Sequence, residues 1–154
     1  MNRDPLDTEY DWSVRIHHVG DRTARVYARN HALTVGQQAS VAPSDEHPSA
    51  IELLLGALGA DLVVGVAVQA RRRGVTLDGL ELALSGTLDN VLVHLGVIGE
   101  TGHPGLSAVT GTLYVSADAD EPAMLTLWQE ALARSPVYQT LSRCARIDIR
   151  VCIG

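Results

Sequence analysis

Phenylalanine is absent from the 154 residues, and aromatic side chains make up only 4% of them. The 46% that are hydrophobic therefore have to build an aliphatic core, in a chain whose length suits one domain of ordinary size. Positive charge is also short. Lys and Arg total 12 against 18 Asp and Glu, for a net charge of −6 and a pI near 5.4. A nucleic-acid binder needs a basic stripe and stacking rings, so no nucleic-acid partner is expected. The run Arg71, Arg72, Arg73 is too short to overturn this. It reads as a solvated helix end, where cations suit the macrodipole.

Cysteine is scarce too: Cys144 and Cys152 are the two present. They lack CxxC spacing and no secretory signal precedes them, so a disulfide-stapled secreted fold is not indicated. A cytoplasmic, reduced setting is the expectation. The histidines, His17, His18, His31, His47, His94 and His103, show no metal-ligand spacing. His17 and His18 are adjacent, so on a strand they point to opposite faces. No metal and no cofactor are expected, and no GxSxG nucleophile elbow is present.

What is present is a chain of short, well-punctuated elements. Residues 1–10 are polar and read as a loose end. "WSVRIHHV" (12–19) reads as a strand, "GDR" (20–22) as a turn, "TARVYARN" (23–30) as the returning strand and "HALTVGQQ" (31–38) as a third. "APSDEHPS" (42–49) is a loop. A long helix follows, with Ser49 at its N-cap and Glu52 completing an S-x-x-E capping box. It runs to about Arg73, where Gly74 stops it. Strands are expected over 77–89 and over 106–118, with a bulge at Gly111, and "GETGHPG" (99–105) is a loop between them. "EPAMLTLWQEALAR" (121–134) is an amphipathic helix with Pro122 in its first turn, and "SPVYQTLSR" (135–143) opens a short second helix. "RIDIRVCI" (146–153) is a strand with Ile147, Ile149, Val151 and Ile153 on one face. No repeat or linker interrupts this order, which defines a single α+β domain.

The long helix raises the functional question. Ile51 to Ala70 is apolar on nearly every side, yet carries Asp61 near its middle. At ~1.5 Å per residue such a stretch could just span a bilayer, but a central Asp costs ~2.5–3.5 kcal/mol on insertion scales. Glu52, Gln69 and the glycines lower that drive further, so no membrane is expected and the helix reads as buried all round. Small residues Gly56, Ala57, Gly59 and Ala60 leave room for another backbone, such as a second copy of the same helix. An ionised carboxylate there needs a partner. Asp61 is therefore either an anchor bonded to a buried group or a carboxylate lining a pocket. Glu52, nine residues earlier, falls about 180° round the helix and cannot pair with it.

Two segments taken together carry a resemblance. "SAIELLLGALGAD" resembles the PxELLLAALGAC signature of the OsmC/Ohr superfamily (osmotically inducible protein C and organic hydroperoxide resistance proteins), and "SPVYQTL" resembles its CPVxxTL signature. Their order and separation match, and the resemblance covers most of the chain. It implies an OsmC-like α+β fold, with antiparallel sheets around a long buried central helix and an interwound homodimer with its sites at the interface. The family's activity is thiol-dependent reduction of organic hydroperoxides. One cysteine attacks the peroxide, a second resolves the sulfenic acid into a disulfide, and an arginine and a glutamate assist.

Here Asp61 stands at the first cysteine position and Ser135 at the second. Glu52 matches the glutamate of one branch; in the peroxidase branches the assisting glutamate lies one residue earlier, at Ile51. Arg22, Arg25 and Arg29 are the candidates for the arginine. Peroxide reduction runs through a thiolate and its sulfenic acid, and neither a carboxylate nor a hydroxyl can follow that path. Ser135 reads instead as an N-cap, with Pro136 at the first helical position. The expectation is a divergent member without peroxidase activity that binds a small, partly apolar molecule at its dimer interface. The alternatives are enzymes. One is a hydroperoxide reductase using Cys144 or Cys152. The other is an acid/base enzyme using Asp61, with Ser135 and one of His94 or His103.

Overall fold

The computed structural model describes residues 10–20, 22–36 and 46–154. They divide into two compact units, one ending at Ala50 and one running from Ile51 to Gly154. The expected loose end over 1–9 and the residues 37–45, including the end of the third predicted strand and half of the proline-containing loop, lie outside the described residues.

The first unit is an antiparallel sheet of β1 (Arg15–Gly20), β2 (Thr23–Ala28) and β3 (His31–Val35), in that spatial order. Gly20 adopts φ 147°, a conformation open to glycine, and the Thr23 hydroxyl donates a 2.9 Å bond to the Gly20 carbonyl across the turn. β1 starts at Arg15 rather than at Trp12. The cause lies in its partner: Arg15 pairs with Tyr27, and β2 ends one residue later, where Arg29 turns the chain at φ 57°. Residues 12–14 have no strand to pair with there.

The second unit begins with α1 (Ala50–Arg72), which follows Ser49 as expected. Its end is a Schellman motif: Val75 N donates to Ala70 O and Gly74 N to Arg71 O, with Gly74 at φ 70°. β4 (Leu77–Leu88), a single-turn helix α2 (Val91–His94) and β5 (Leu106–Ala117) come next. α2 is absent from the sequence expectations. It forms because the Asn90 side chain accepts from the Leu92 and Val93 amides, a local device with no apolar period to announce it. α3 (Glu121–Arg134), α4 (Pro136–Leu141) and β6 (Arg146–Ile153) complete the unit.

The second sheet has the order β4-β5-β6. β4 and β5 pair antiparallel, whereas β6 pairs parallel to β5, so the expected antiparallel arrangement holds for every described strand pair except this one. A crossover through α3 and α4 returns the chain to the end where β5 started, which makes the next strand parallel. The expected bulge at Gly111 is not there: Gly111 pairs regularly with Leu84 and Ile149, and the irregularities of the β4–β5 ladder fall near its ends. Gly111 is required for space. A Cβ there would strike the Ala83 carbonyl oxygen and come within 2.6 Å of Leu84 Cδ2.

Leu58, Leu62 and Val66 of α1 pack with Val109 and Leu113 of β5 and with Trp128 and Ala131 of α3. Ile147, Ile149 and Val151 join from β6, on the face their alternation predicts. The core is aliphatic apart from Trp128 and the partly buried Tyr138 at its margin. A further expectation is overturned. α1 is not buried all round: one stripe, Leu58, Leu62, Val66, Gln69 and Ala70, is buried, while Leu54, Val64 and Val68 are 39%, 60% and 39% exposed. Uniform hydrophobicity had hidden which side meets the sheet, and the opposite apolar side remains open in the single chain.

Candidate functional site

The chemistry-bearing residues of the two motifs meet. Asp61 lies in mid-α1, and Ser135 is the single residue between α3 and α4, ending one helix and capping the next. Ser135 Oγ donates a 2.6 Å hydrogen bond to Asp61 Oδ2. The same hydroxyl accepts from the Tyr138 amide at 2.9 Å, and Asp61 Oδ2 also accepts from the Val137 amide at 3.3 Å. A carboxylate and a hydroxyl thus cap the first turn of α4 together, satisfying amides that have no partner within the helix.

Small residues one turn away bring this pair together. Gly65 follows Asp61 by one helical turn, and Ala131 precedes Ser135 by one. A Cβ on Gly65 would lie 3.4 Å from the Ala131 Cβ, so α1 and α3 approach to ordinary contact at that point. With bulk at either position, the next turn could not hold a 2.6 Å bond. Ser135 is 3% exposed, whereas Asp61 is half-buried. Its second oxygen, Oδ1, takes no hydrogen bond among the described residues and is not buried.

The remaining candidates are elsewhere. Glu52 is exposed and stands at one end of an apolar groove of about 430 Å³ between α1 and β4, whose floor is Gly56, Gly59, Leu82 and Leu84. Asp61 does not line that groove, in keeping with the half-turn offset of the two acids. Arg22, Arg25 and Arg29 belong to the N-terminal unit: Arg25 on β2, Arg22 and Arg29 in the turns flanking it. Cys144 and Cys152 are both exposed. The Cys144 thiol donates to the Leu141 carbonyl in the turn after α4, and Cys152 sits on the sheet face away from the core, paired with Tyr114. His94 ends α2 and His103 lies in the following loop. The N-cap reading of Ser135 already implied the Tyr138 amide as its donor, whereas the Val137 amide's bond to Asp61 carries no residue signature.

A long helix thus lies against a mixed sheet, and a carboxylate and a hydroxyl from distant segments join at a helix start. The OsmC-like protein family model matches residues 43–150, and the chain belongs to that family. An OsmC-like protein of Mycoplasma pneumoniae has the same fold, with a TM-score of 0.80 at 14% identity, over 95% of this chain and 99% of that one. The organic hydroperoxide resistance protein OsmC of Legionella pneumophila gives a TM-score of 0.65 at 12% identity, over 92% and 96% of the two chains. The organic hydroperoxide resistance protein OhrB of Bacillus subtilis gives 0.61 at 13% identity, over 92% and 98%. Among curated proteins none matches in sequence.

Proposed function

We propose that this chain is an OsmC-like protein that has lost thiol-dependent hydroperoxide reduction, and that it acts as a cytoplasmic, single-domain homodimer binding a small, partly apolar molecule at the interface between copies. The observation that carries the reading is the 2.6 Å bond from Ser135 to Asp61. Two residues 74 apart in sequence meet where the family signatures place its cysteines, and neither can carry an oxidised sulfur. The open apolar side of α1, with Leu54, Val64 and Val68 exposed, supports a self-partner, since apolar helix faces of this kind are rarely left to water. Asp61 Oδ1 supplies a polar handle suited to an amine or hydroxyl.

Purified protein mixed with cumene hydroperoxide and dithiothreitol is expected to consume no peroxide above the buffer rate. Robust turnover lost on Cys144→Ser or Cys152→Ser would overturn the proposal and leave a displaced thiol peroxidase. Both thiols are exposed and neither stands at a motif position, which is why that reading ranks second. Asp61 as a general base would have to act through Oδ1, because its Oδ2 is occupied by Ser135 and the Val137 amide. A panel of model esters tests it directly, and an Asp61→Asn variant with unchanged rates would dismiss it.

A further inference from the structure

The N-terminal sheet carries a cluster with no part in the function proposed above. In the β1–β2 ladder Arg15 stands opposite Tyr27, and His17 stands opposite Arg25. Residues two apart on a strand share a face, so all four side chains leave the hairpin on one side. The cations occupy diagonal corners and the rings the other two. The Arg15 guanidinium lies 5.2 Å from the centre of the Tyr27 ring and the Arg25 guanidinium 6.0 Å from it. His17 meets the same ring edge-on at 5.6 Å. On β3 the face continues with Ala32 and Thr34, opposite Tyr27 and Arg25, without a carboxylate.

Among the described residues no acid answers these charges. Neither guanidinium has a hydrogen bond or ion pair among the described residues, although acids outnumber cations 18 to 12 in the chain. Tyr27 gathers two like charges without neutralising either. A guanidinium over a ring uses its flat face and keeps its in-plane N–H donors free. A carboxylate would neutralise one such charge. A dianionic phosphate group neutralises both and offers three acceptor oxygens to two planar forks.

We infer that this face of the β1–β2 hairpin is a binding site for a phosphate group, gripped by Arg15 and Arg25 and oriented by Tyr27 and His17. Asp61, Ser135 and Glu52 take no part, so the site stands or falls apart from the hydroperoxide question. The test is an NMR titration of the full chain at low salt with inorganic phosphate, with phenyl phosphate and with benzoate. Phosphate is expected to produce saturable shifts at the amides of Arg15, His17, Arg25 and Tyr27, weakened by added salt. Arg15→Gln and Arg25→Gln should each weaken binding about tenfold, and Arg143→Gln, at an exposed position after α4, should leave it unchanged. Phenyl phosphate binding more tightly than inorganic phosphate identifies an organic phosphate ester as the ligand; equal binding identifies free phosphate. The site is refuted by the absence of saturable shifts up to about 20 mM phosphate, by benzoate binding as well as phosphate, or by Arg143→Gln weakening binding as much as Arg15→Gln.

Discussion

The Ser135 hydroxyl donates a 2.6 Å hydrogen bond to Asp61 Oδ2, and the acceptor sits 74 residues away in the middle of the longest helix. That bond joins the start of α4 to α1 and should count in stability. Ser135 is 3% exposed, and the bond it makes is charge-assisted when Asp61 is ionised. Ser135→Ala leaves a half-buried carboxylate with one partner fewer and removes the cap, at a cost of about 1–3 kcal/mol. Asp61→Asn is expected to cost a similar amount. Urea denaturation of both variants and the double variant checks this. Strict additivity of the two losses would contradict a shared bond.

The geometry also sets a test of the thiol chemistry that the proposal takes as lost. With Cys144 and Cys152 replaced by serine, the double substitution D61C/S135C puts two thiols where the hydrogen bond now lies. Oxidation should form an intramolecular disulfide, visible as the loss of two titratable thiols without dimerisation on a denaturing gel. Hydroperoxide consumption with dithiothreitol should rise above that of the unsubstituted chain. Two thiols that stay free under oxidant would mean that the positions are not apposed as described.

The contact of Gly65 with Ala131 predicts a steric phenotype at a position with no chemistry. Ala131 is 1% exposed, and its Cβ lies 3.4 Å from where a Gly65 Cβ would stand. Ala131→Leu forces α1 and α3 apart and should destabilise by about 1–3 kcal/mol. In the D61C/S135C background it should slow disulfide formation. An unaffected rate would show that the helix spacing is set elsewhere.

Gly111 offers a test inside the second sheet. Any side chain there meets the Ala83 carbonyl and Leu84 Cδ2, both on the paired strand. Gly111→Ala should cost roughly 1–3 kcal/mol although alanine is a milder strand residue than glycine. A neutral or stabilising result in thermal denaturation would mean that β4 shifts to make room.

The open side of α1 predicts how the protein behaves in solution. Val64 is 60% exposed in the single chain. If a second copy covers it, Val64→Arg places a cation in an apolar contact and should convert dimers to monomers in sedimentation velocity, with the single-chain fold retained by circular dichroism. Unsubstituted protein sedimenting as a monomer at micromolar concentration would remove the case for a homodimer.

Much of this could be read before any coordinates. Ser49 directly precedes α1 and Gly74 ends it in a Schellman motif, because helix ends are local chemistry. Pro122 marks the start of α3 for the same reason, whereas the Asp120 cap, whose side chain accepts from the Ala123 amide, was not among the expectations. The alternation in 146–153 identified the inward face of β6, since a two-residue period survives any sheet arrangement. The single turn α2 escaped because one side-chain cap on Asn90 leaves no period to read. The orientation of α1 escaped because a helix apolar on all sides does not say which stripe the sheet will take.

The pattern of residues settled which elements form, where they end, which family motifs they carry and that sulfur is missing from both motif positions. These depend on composition and near neighbours in the chain. Three-dimensional packing settled the rest: that Asp61 faces α4 while Glu52 faces a groove beside β4, that β6 runs parallel to β5, and that Arg15 and Arg25 share one tyrosine ring. Such facts depend on which surfaces come within a few ångströms of each other, and distances between remote segments are written only in the folded chain.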